Sequence, residues 1–157
     1  MTAKAETCPE CGLAVEGGAA GCEAIFQEVI ARDFSDPLYF RVHRMLVDVY
    51  SLQHPARYCA SAKSFAAHFT GIACLLEHGG NRATGSEKLR AWLNGGAKIA
   101  KPELPAFRGA LTIADVRGAA DPAAHERAVE AWARSTWAAY APLHALARGW
   151  IGQALAR

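Results

Sequence analysis

Three cysteines near the N-terminus are the residues whose type and spacing most clearly indicate chemistry. Two residues separate Cys8 from Cys11, Gly12 follows directly, and ten residues separate Cys11 from Cys22. Two thiolates in a Cys-x-x-Cys turn can point at one ion, and the glycine after them allows a positive φ. Three soft ligands without a redox-cofactor signature favour zinc over iron or copper. The sequence therefore predicts a Zn²⁺ site that contains these three cysteines.

A histidine further along the chain is the expected fourth ligand. His43, Tyr50 and His54 fall at i, i+7 and i+11, which places them on one face of a predicted helix. An antiparallel arrangement with the preceding helix, which is predicted to start at Cys22, brings the far end of the second helix beside that cysteine. This geometry favours His54 in a closed, structural Cys3His site. The alternatives for the fourth ligand are His43 and water. In a further alternative, His54 is not a ligand and only satisfies the free carbonyls at the C-terminus of its helix.

The five cysteines do not form a disulfide framework on this interpretation. Their number is odd, residues 1–7 are polar, and we expect no secretory signal. The expected compartment is the reducing cytoplasm, where close cysteine pairs serve metal or redox chemistry. A redox Cys-x-x-Cys pair is the alternative, but it is typical of βαβ folds, and no such pattern is present.

Several polar residues of the second and last predicted helices are candidates for catalysis. His43, Asp48 and Tyr50 lie on the second helix, and His144 shares a side of the last helix with Trp137. If these helices face each other, His43, Tyr50 and His144 converge in a polar pocket that could serve a catalytic metal. Histidine and aromatic residues at helical spacing are, however, also typical of an ordinary core with locally satisfied polar tips.

Composition and charge restrict the classes of partner. The chain has 157 residues, 52% of them hydrophobic and 20% charged, and a net charge of +2. Its apolar runs are far shorter than the roughly 20 residues that cross a bilayer, so no membrane span is expected. Interspersed charge argues against a nucleic-acid partner, because each phosphate contact needs a cation. A protein partner, a small-molecule ligand and a homo-oligomer stay open.

Hydrophobic periodicity and turn residues predict one all-α domain. Residues 1–21 are interpreted as an irregular, zinc-bound segment and residues 22–157 as a bundle of four to five helices. The predicted helices run from Cys22 to about Asp33, Leu38 to about His54, Ser61 or Ser64 to His78, the capping-box segment Thr84 to Glu87 through Leu93, and Ala123 to about Ala156. Pro142 should kink or divide the last helix, and Thr112 to Val116 fits either one helical turn or a short strand.

The chain resembles a small bacterial family of domains of unknown function. The matching features are the Cys8-Pro-x-Cys11-Gly12 turn with Cys22, the His43-Arg44-x-x-Val47-Asp48-x-Tyr50-x-x-Gln53-His54-Pro55 segment, Leu111-Thr112-x-x-Asp115-Val116, and Val129-x-x-Trp132-Ala133 with Trp137. The resemblance implies that Cys8, Cys11, Cys22, His43, Asp48, Gln53 and His54 occupy motif positions of the family. It implies no activity.

The sequence thus favours a zinc-binding helical protein whose metal is structural and whose role is regulatory or in interactions. The alternative is a metal-assisted enzyme, a hydrolase or group transferase, with His43, Tyr50 and His144 around its site. Phosphate-loop, dinucleotide-binding and nucleophile-elbow motifs are absent from the sequence.

Overall fold

The computed structural model describes residues 4–79 and 82–157, without the side chains of residues 82–85. This part of the chain is mainly helical, as predicted. Its strands are β1 (Ala5–Thr7) and β2 (Ala14–Glu16), and its helices are α1 (Gly18–Ser35), α2 (Pro37–Phe40), α3 (His43–Gln53), α4 (Pro55–Tyr58), α5 (Ala62–Glu77), α6 (Arg82–Asn94), α7 (Ile113–Arg117), α8 (Pro122–Ala139) and α9 (His144–Leu155).

The N-terminal segment is more regular than predicted. β1 and β2 form an antiparallel hairpin in which Glu6 lies opposite Val15, and α1 begins at Gly18, before Cys22. Gly12 has a φ of 81°, so the chain can reverse tightly within the cysteine turn and pair its two flanks. Strands of three residues are too short for an alternating pattern to be recognised in the sequence, so the sequence predicts an irregular segment here.

Helix α3 lies at the centre of the bundle. It packs against α5 and α8, and α5 in turn packs against α6 and α9. The hairpin packs on α1, which also contacts α2 and α7. The aromatic core between these helices includes Phe65, Phe69, Tyr140 and Trp150, whose rings lie in contact. The centre of the molecule is therefore held by ordinary apolar packing, and the hairpin lies at its edge.

Prolines set several helix boundaries. Asp36 caps α2 by accepting a 2.8 Å hydrogen bond from the Leu38 amide, and the chain turns again before α3, so the predicted second helix is two helices. Pro142 divides the last predicted helix, with a 3-10 turn at Ala141–Leu143 between α8 and α9, because proline cannot donate the helical hydrogen bond. The ambiguous segment after Thr112 is helical, in α7, which Thr112 caps. In the part of the chain that the structure describes, no helix is long and apolar enough to span a membrane.

Candidate metal centre

Four residues form one cluster, called here the thiol cluster, that could hold a metal ion: Cys8, Cys11, Cys22 and His54. Their ligand atoms, three Sγ and the His54 Nε2, all lie within 4.8 Å of one another. The Cys22 Sγ is 3.7 Å from the Cys11 Sγ and 3.4 Å from the His54 Nε2, and the Cys8 Sγ is 3.7 Å from the same nitrogen. Cys8, Cys22 and His54 are buried, and Cys11 is half-buried. The structure thus brings the three predicted thiols to His54.

The turn that carries the first two cysteines is held by its own backbone hydrogen bonds and by hydrogen bonds from other parts of the chain. Its Gly12 amide donates to the Cys8 carbonyl at 2.9 Å, and the Cys8 amide donates to the Leu13 carbonyl at 2.8 Å. From outside, the Arg108 guanidinium donates to the Glu10 carbonyl at 3.0 Å, and the Glu10 carboxylate accepts from the amide of Ala56 at 2.8 Å. The two sulfurs are therefore positioned by the bundle as well as by the turn.

The orientation of the His54 ring leaves the correct nitrogen for a metal. His54 follows the last residue of α3, and its Nδ1 lies 2.7 Å from the Tyr50 carbonyl oxygen. A carbonyl only accepts hydrogen bonds, so Nδ1 carries the proton and Nε2 presents its lone pair to the sulfurs. Metal-binding histidines usually show this arrangement, with the second ring nitrogen bonded to a carbonyl or carboxylate.

The crowded sulfurs have perturbed proton affinities. The hydrogen bond with Cys22 lowers the pKa of Cys11 to about 4, and the same hydrogen bond together with burial raises the pKa of Cys22. Neighbouring sulfurs accept one negative charge more easily than two. A cation between them reverses this preference and favours thiolates throughout.

An outer layer of polar and aromatic residues surrounds the cluster. The Tyr50 ring stacks between Phe26 and His54, at centroid distances of 3.7 and 3.9 Å. The Tyr50 hydroxyl lies 3.7 Å from the Cys22 Sγ and donates to the Glu23 carboxylate at 3.2 Å. Tyr58 also donates to Glu23, at 2.9 Å. Tyr50 thus borders the thiol cluster and does not face an open pocket with His43.

His43 belongs to a second buried polar cluster, at the other end of α3. Its Nδ1 lies 2.9 Å from one carboxylate oxygen of Asp33, and the Nε2 of His125 lies 2.8 Å from the other. The Arg32 guanidinium donates to the His125 Nδ1 at 3.0 Å, which leaves the proton of that ring on the nitrogen facing Asp33. His43 therefore joins α3 to α1, and it is not a ligand of the thiol cluster.

Asp48 and Gln53 bind other parts of the bundle. The Asp48 carboxylate accepts from the Arg44 guanidinium at 2.8 Å and lies 2.9 Å from the His68 Nδ1. The Gln53 amide donates to the Leu111 carbonyl at 2.7 Å and accepts from the Trp132 indole at 2.9 Å. Both side chains are buried and bonded to their neighbours, as expected of structural polar groups.

His144 has partners of its own. Its ring stacks on Trp137 at 3.7 Å, and its Nε2 donates to the Trp137 carbonyl at 2.7 Å. His43 is bonded to Asp33 and Tyr50 to Glu23, so the structure does not bring these three candidate residues together in one polar pocket. The predicted arrangement required the side of α8 and α9 that carries His144 to face α3, but the break at Pro142 separates Trp137 and His144 into different helices.

Sequence reasoning did not identify Glu23, Asp33 or His125 as members of these clusters. A signal exists for two of them: Asp33 follows Val29 by four residues on the buried side of α1, and His125 precedes Val129 by four on that of α8. A charged or titratable residue within an apolar stripe requires a buried partner. Glu23 carries only the weaker signal of its position next to Cys22.

Comparison with known proteins gives a family and no activity. No curated protein and no solved structure matches the chain. The model of a family of unknown function, DUF5946, matches residues 6–141. This range includes the thiol cluster, all of α3, and the buried carboxylates of Asp33 and Asp48. The chain belongs to this family, DUF5946, whose function is unknown.

Proposed function

We propose that the protein is a structural zinc protein, in which Zn²⁺ bound by Cys8, Cys11, Cys22 and His54 fixes the N-terminal hairpin to the bundle. The distances between the ligand atoms carry this proposal. Zinc bonds of about 2.3 Å to sulfur and 2.0–2.1 Å to nitrogen place tetrahedral sulfurs about 3.8 Å apart and sulfur and nitrogen about 3.6 Å apart. Three of the six ligand-atom pairs lie close to these values, at 3.7 Å for one sulfur–sulfur pair and 3.4 and 3.7 Å for two sulfur–nitrogen pairs, and the other three pairs lie within 4.8 Å.

The nature of the ligands supports a closed site and a structural role. Three thiolates and one imidazole from the protein complete a tetrahedron, whereas catalytic zinc sites keep a position for water or substrate. The ligands come from the hairpin turn, the first half of α1 and the end of α3. Zinc would therefore add bonds between three segments that also pack together through the stacked rings of Phe26 and Tyr50. A regulatory or interaction role fits this design better than hydrolase or transferase chemistry.

The test is X-ray absorption spectroscopy at the zinc edge on protein purified without added metal, with native mass spectrometry for the stoichiometry. We expect one zinc per chain, with three sulfur neighbours at about 2.3 Å and one nitrogen neighbour at about 2.0–2.1 Å. Fewer than three sulfurs, or a light-atom ligand that exchanges with added azide, would indicate an open site. A zinc-free chain two protons lighter would indicate a disulfide and the redox interpretation instead.

Matched variants identify the ligands. Cys22→Ser and His54→Ala should weaken or abolish zinc retention in native mass spectrometry, because each removes one of four bonds. Cys74→Ser and His78→Ala are the controls, since neither residue belongs to the cluster, and both should keep one zinc. Equal zinc loss from Cys74→Ser and Cys22→Ser would contradict the assignment.

A further inference from the structure

A cavity of about 590 Å³ lies between α5, α6 and α9, away from the thiol cluster. Arg44, near the start of α3, lines it, while His54 follows the end of that helix; ten residues of helix correspond to about 15 Å. The volume falls within the range of roughly 300–1,000 Å³ that is usual for small-molecule sites. The metal centre does not use this cavity, so an inference about it is independent of the zinc proposal.

The inner wall of the cavity is apolar. Leu89 and Ile151 are buried, and Leu75 and Leu93 are half-buried, where they line it from three helices. Thr70 is the buried polar residue of this wall, and its hydroxyl is already bonded to the Ala66 carbonyl at 2.7 Å. The interior therefore favours an alkyl or other apolar group and offers it few hydrogen bonds.

The rim of the cavity is positively charged. Lys63 and Arg90 are exposed there, Lys88 is half-buried, and none of the lining residues in the described part of the chain is an Asp or Glu. Neither lysine is bonded to an Asp or Glu: the Lys63 ammonium donates to the Asn94 side-chain oxygen at 2.7 Å, and Lys88 donates to the Leu155 carbonyl at 3.2 Å and to the terminal oxygen of Arg157 at 3.4 Å. In the described part of the chain, Lys63 and Arg90 are thus left without an Asp or Glu partner, and Lys88 lies beside the oxygen of the last residue.

Arg44 is the lining cation that has an acidic partner, and that partner lies behind the wall. Its guanidinium is bonded to the buried Asp48, whose other oxygen faces His68. Asp48 is thereby held away from the rim and does not neutralise Lys63, Lys88 or Arg90. An apolar interior below a basic rim that contains no Asp or Glu is complementary to a molecule with an apolar body and one anionic end.

We propose that this cavity, between α5, α6 and α9, binds a small amphipathic anion, with its apolar chain against Leu75, Leu89, Leu93 and Ile151 and its carboxylate or phosphate at Lys63, Lys88 and Arg90. The chain is held by burial from water, and the charged end by charge-assisted hydrogen bonds at the rim. The site is a ligand site and involves no covalent step.

Isothermal titration calorimetry of the purified 157-residue protein tests the proposal with three probes of equal chain length. Decanoate, decanol and decylammonium are titrated below the concentrations at which they aggregate, and acetate serves as a competitor without an apolar body. We expect saturable binding of one decanoate, with decanol about tenfold weaker and decylammonium weaker still, because a charge-assisted bond contributes about one decade of affinity. Acetate should not displace decanoate. An absence of decanoate binding, or equal affinities for decanoate and decanol, would overturn the proposal.

Variants locate the site. Lys63→Gln with Arg90→Gln should weaken decanoate about tenfold and leave decanol unchanged. The matched control is Arg127→Gln with Arg134→Gln, which removes two exposed cations from α8 and should leave decanoate unchanged. Ala67→Phe places a large side chain at the cavity wall and should abolish binding of both probes, with circular dichroism and zinc content as checks of folding. Equal losses in the rim and control variants would overturn the location.

Discussion

Tyr50 links the thiol cluster to Phe26 of α1 and Trp132 of α8. One face of its ring stacks on Phe26 and the other stacks on His54, and its hydroxyl donates a hydrogen bond to the Glu23 carboxylate. Burial, together with the hydrogen bond to Cys22, raises the pKa of Tyr50 well above its ordinary value, so the hydroxyl stays a donor at neutral pH. The ring thus orients His54 through stacking and the hydroxyl holds Glu23 beside Cys22.

The two contributions of Tyr50 can be separated by substitution. Tyr50→Phe keeps both stacking contacts and loses one hydrogen bond, which should lower the free energy of unfolding by about 1 kcal/mol. Tyr50→Ala removes the ring and should cost about 3–5 kcal/mol, as large-to-small changes in a core do. Urea unfolding with zinc in excess measures both. Tyr39→Phe is the control, because the half-buried Tyr39 is held by ring contacts that phenylalanine preserves. Equal losses for Tyr50→Phe and Tyr50→Ala would contradict the importance of stacking.

At the scale of elements, the central position of α3 in the bundle explains why this helix carries so many polar residues. His43 bonds to Asp33 on α1, Asp48 to His68 on α5, Gln53 to Trp132 on α8, and His54 faces the thiols. These side chains project in different directions, since Asp48 lies about 140° around the helix from His43. They form separate buried connections to four neighbouring segments. Their density therefore reflects the central position of α3 and not a single active site.

The α3–α5 connection requires a glycine. A Cβ at Gly71 would overlap with the Asp48 carboxylate and approach the Arg44 guanidinium to 3.0 Å. Gly71→Ala should therefore lower the free energy of unfolding by about 1–3 kcal/mol, because both oxygens of Asp48 are engaged and cannot move freely.

The matched control for Gly71→Ala is Gly149→Ala in α9. A Cβ at Gly149 meets nothing within 4 Å, so alanine should stabilise the helix by about 0.5–1 kcal/mol. Thermal or urea unfolding of the two variants in parallel gives changes of opposite sign if the contact is decisive. A neutral or stabilising Gly71→Ala would show that Asp48 adapts at little cost.

At the scale of the whole molecule, the sequence predicts the helical class and the cluster of thiols better than it predicts the clusters made by tertiary packing. The cysteine spacing is local, and the position of His54 follows from one antiparallel helix pair. The placement of His144 depends on the path of the chain after Pro142, which periodicity does not specify. The pairing of Asp33 with His125 joins residues far apart in the sequence, and the hairpin strands of three residues are too short to show a pattern.

If zinc occupies the thiol cluster as proposed, the arrangement of the molecule predicts how far the fold depends on it. Aromatic packing holds α5, α8 and α9 together, whereas the hairpin, the first half of α1 and the end of α3 meet at the thiol cluster and at the stacked rings of Phe26 and Tyr50. Structural zinc contributes about 10–16 kcal/mol in small zinc-finger peptides, compared with a total stability of about 5–15 kcal/mol for a typical domain.

Removal of zinc by a chelator under reducing conditions should therefore remove most of the stability of the protein. Hydrogen exchange should show protection lost first at residues 5–16 and at the start of α1, and later in α5 and α9, because the latter lie in the apolar core. Circular dichroism on heating should show a strongly lowered melting temperature. The Cys22→Ser variant, expected to lack zinc, is the control and should not respond to the chelator. An unchanged melting temperature in protein shown by elemental analysis to be metal-free would contradict a structural role for the metal.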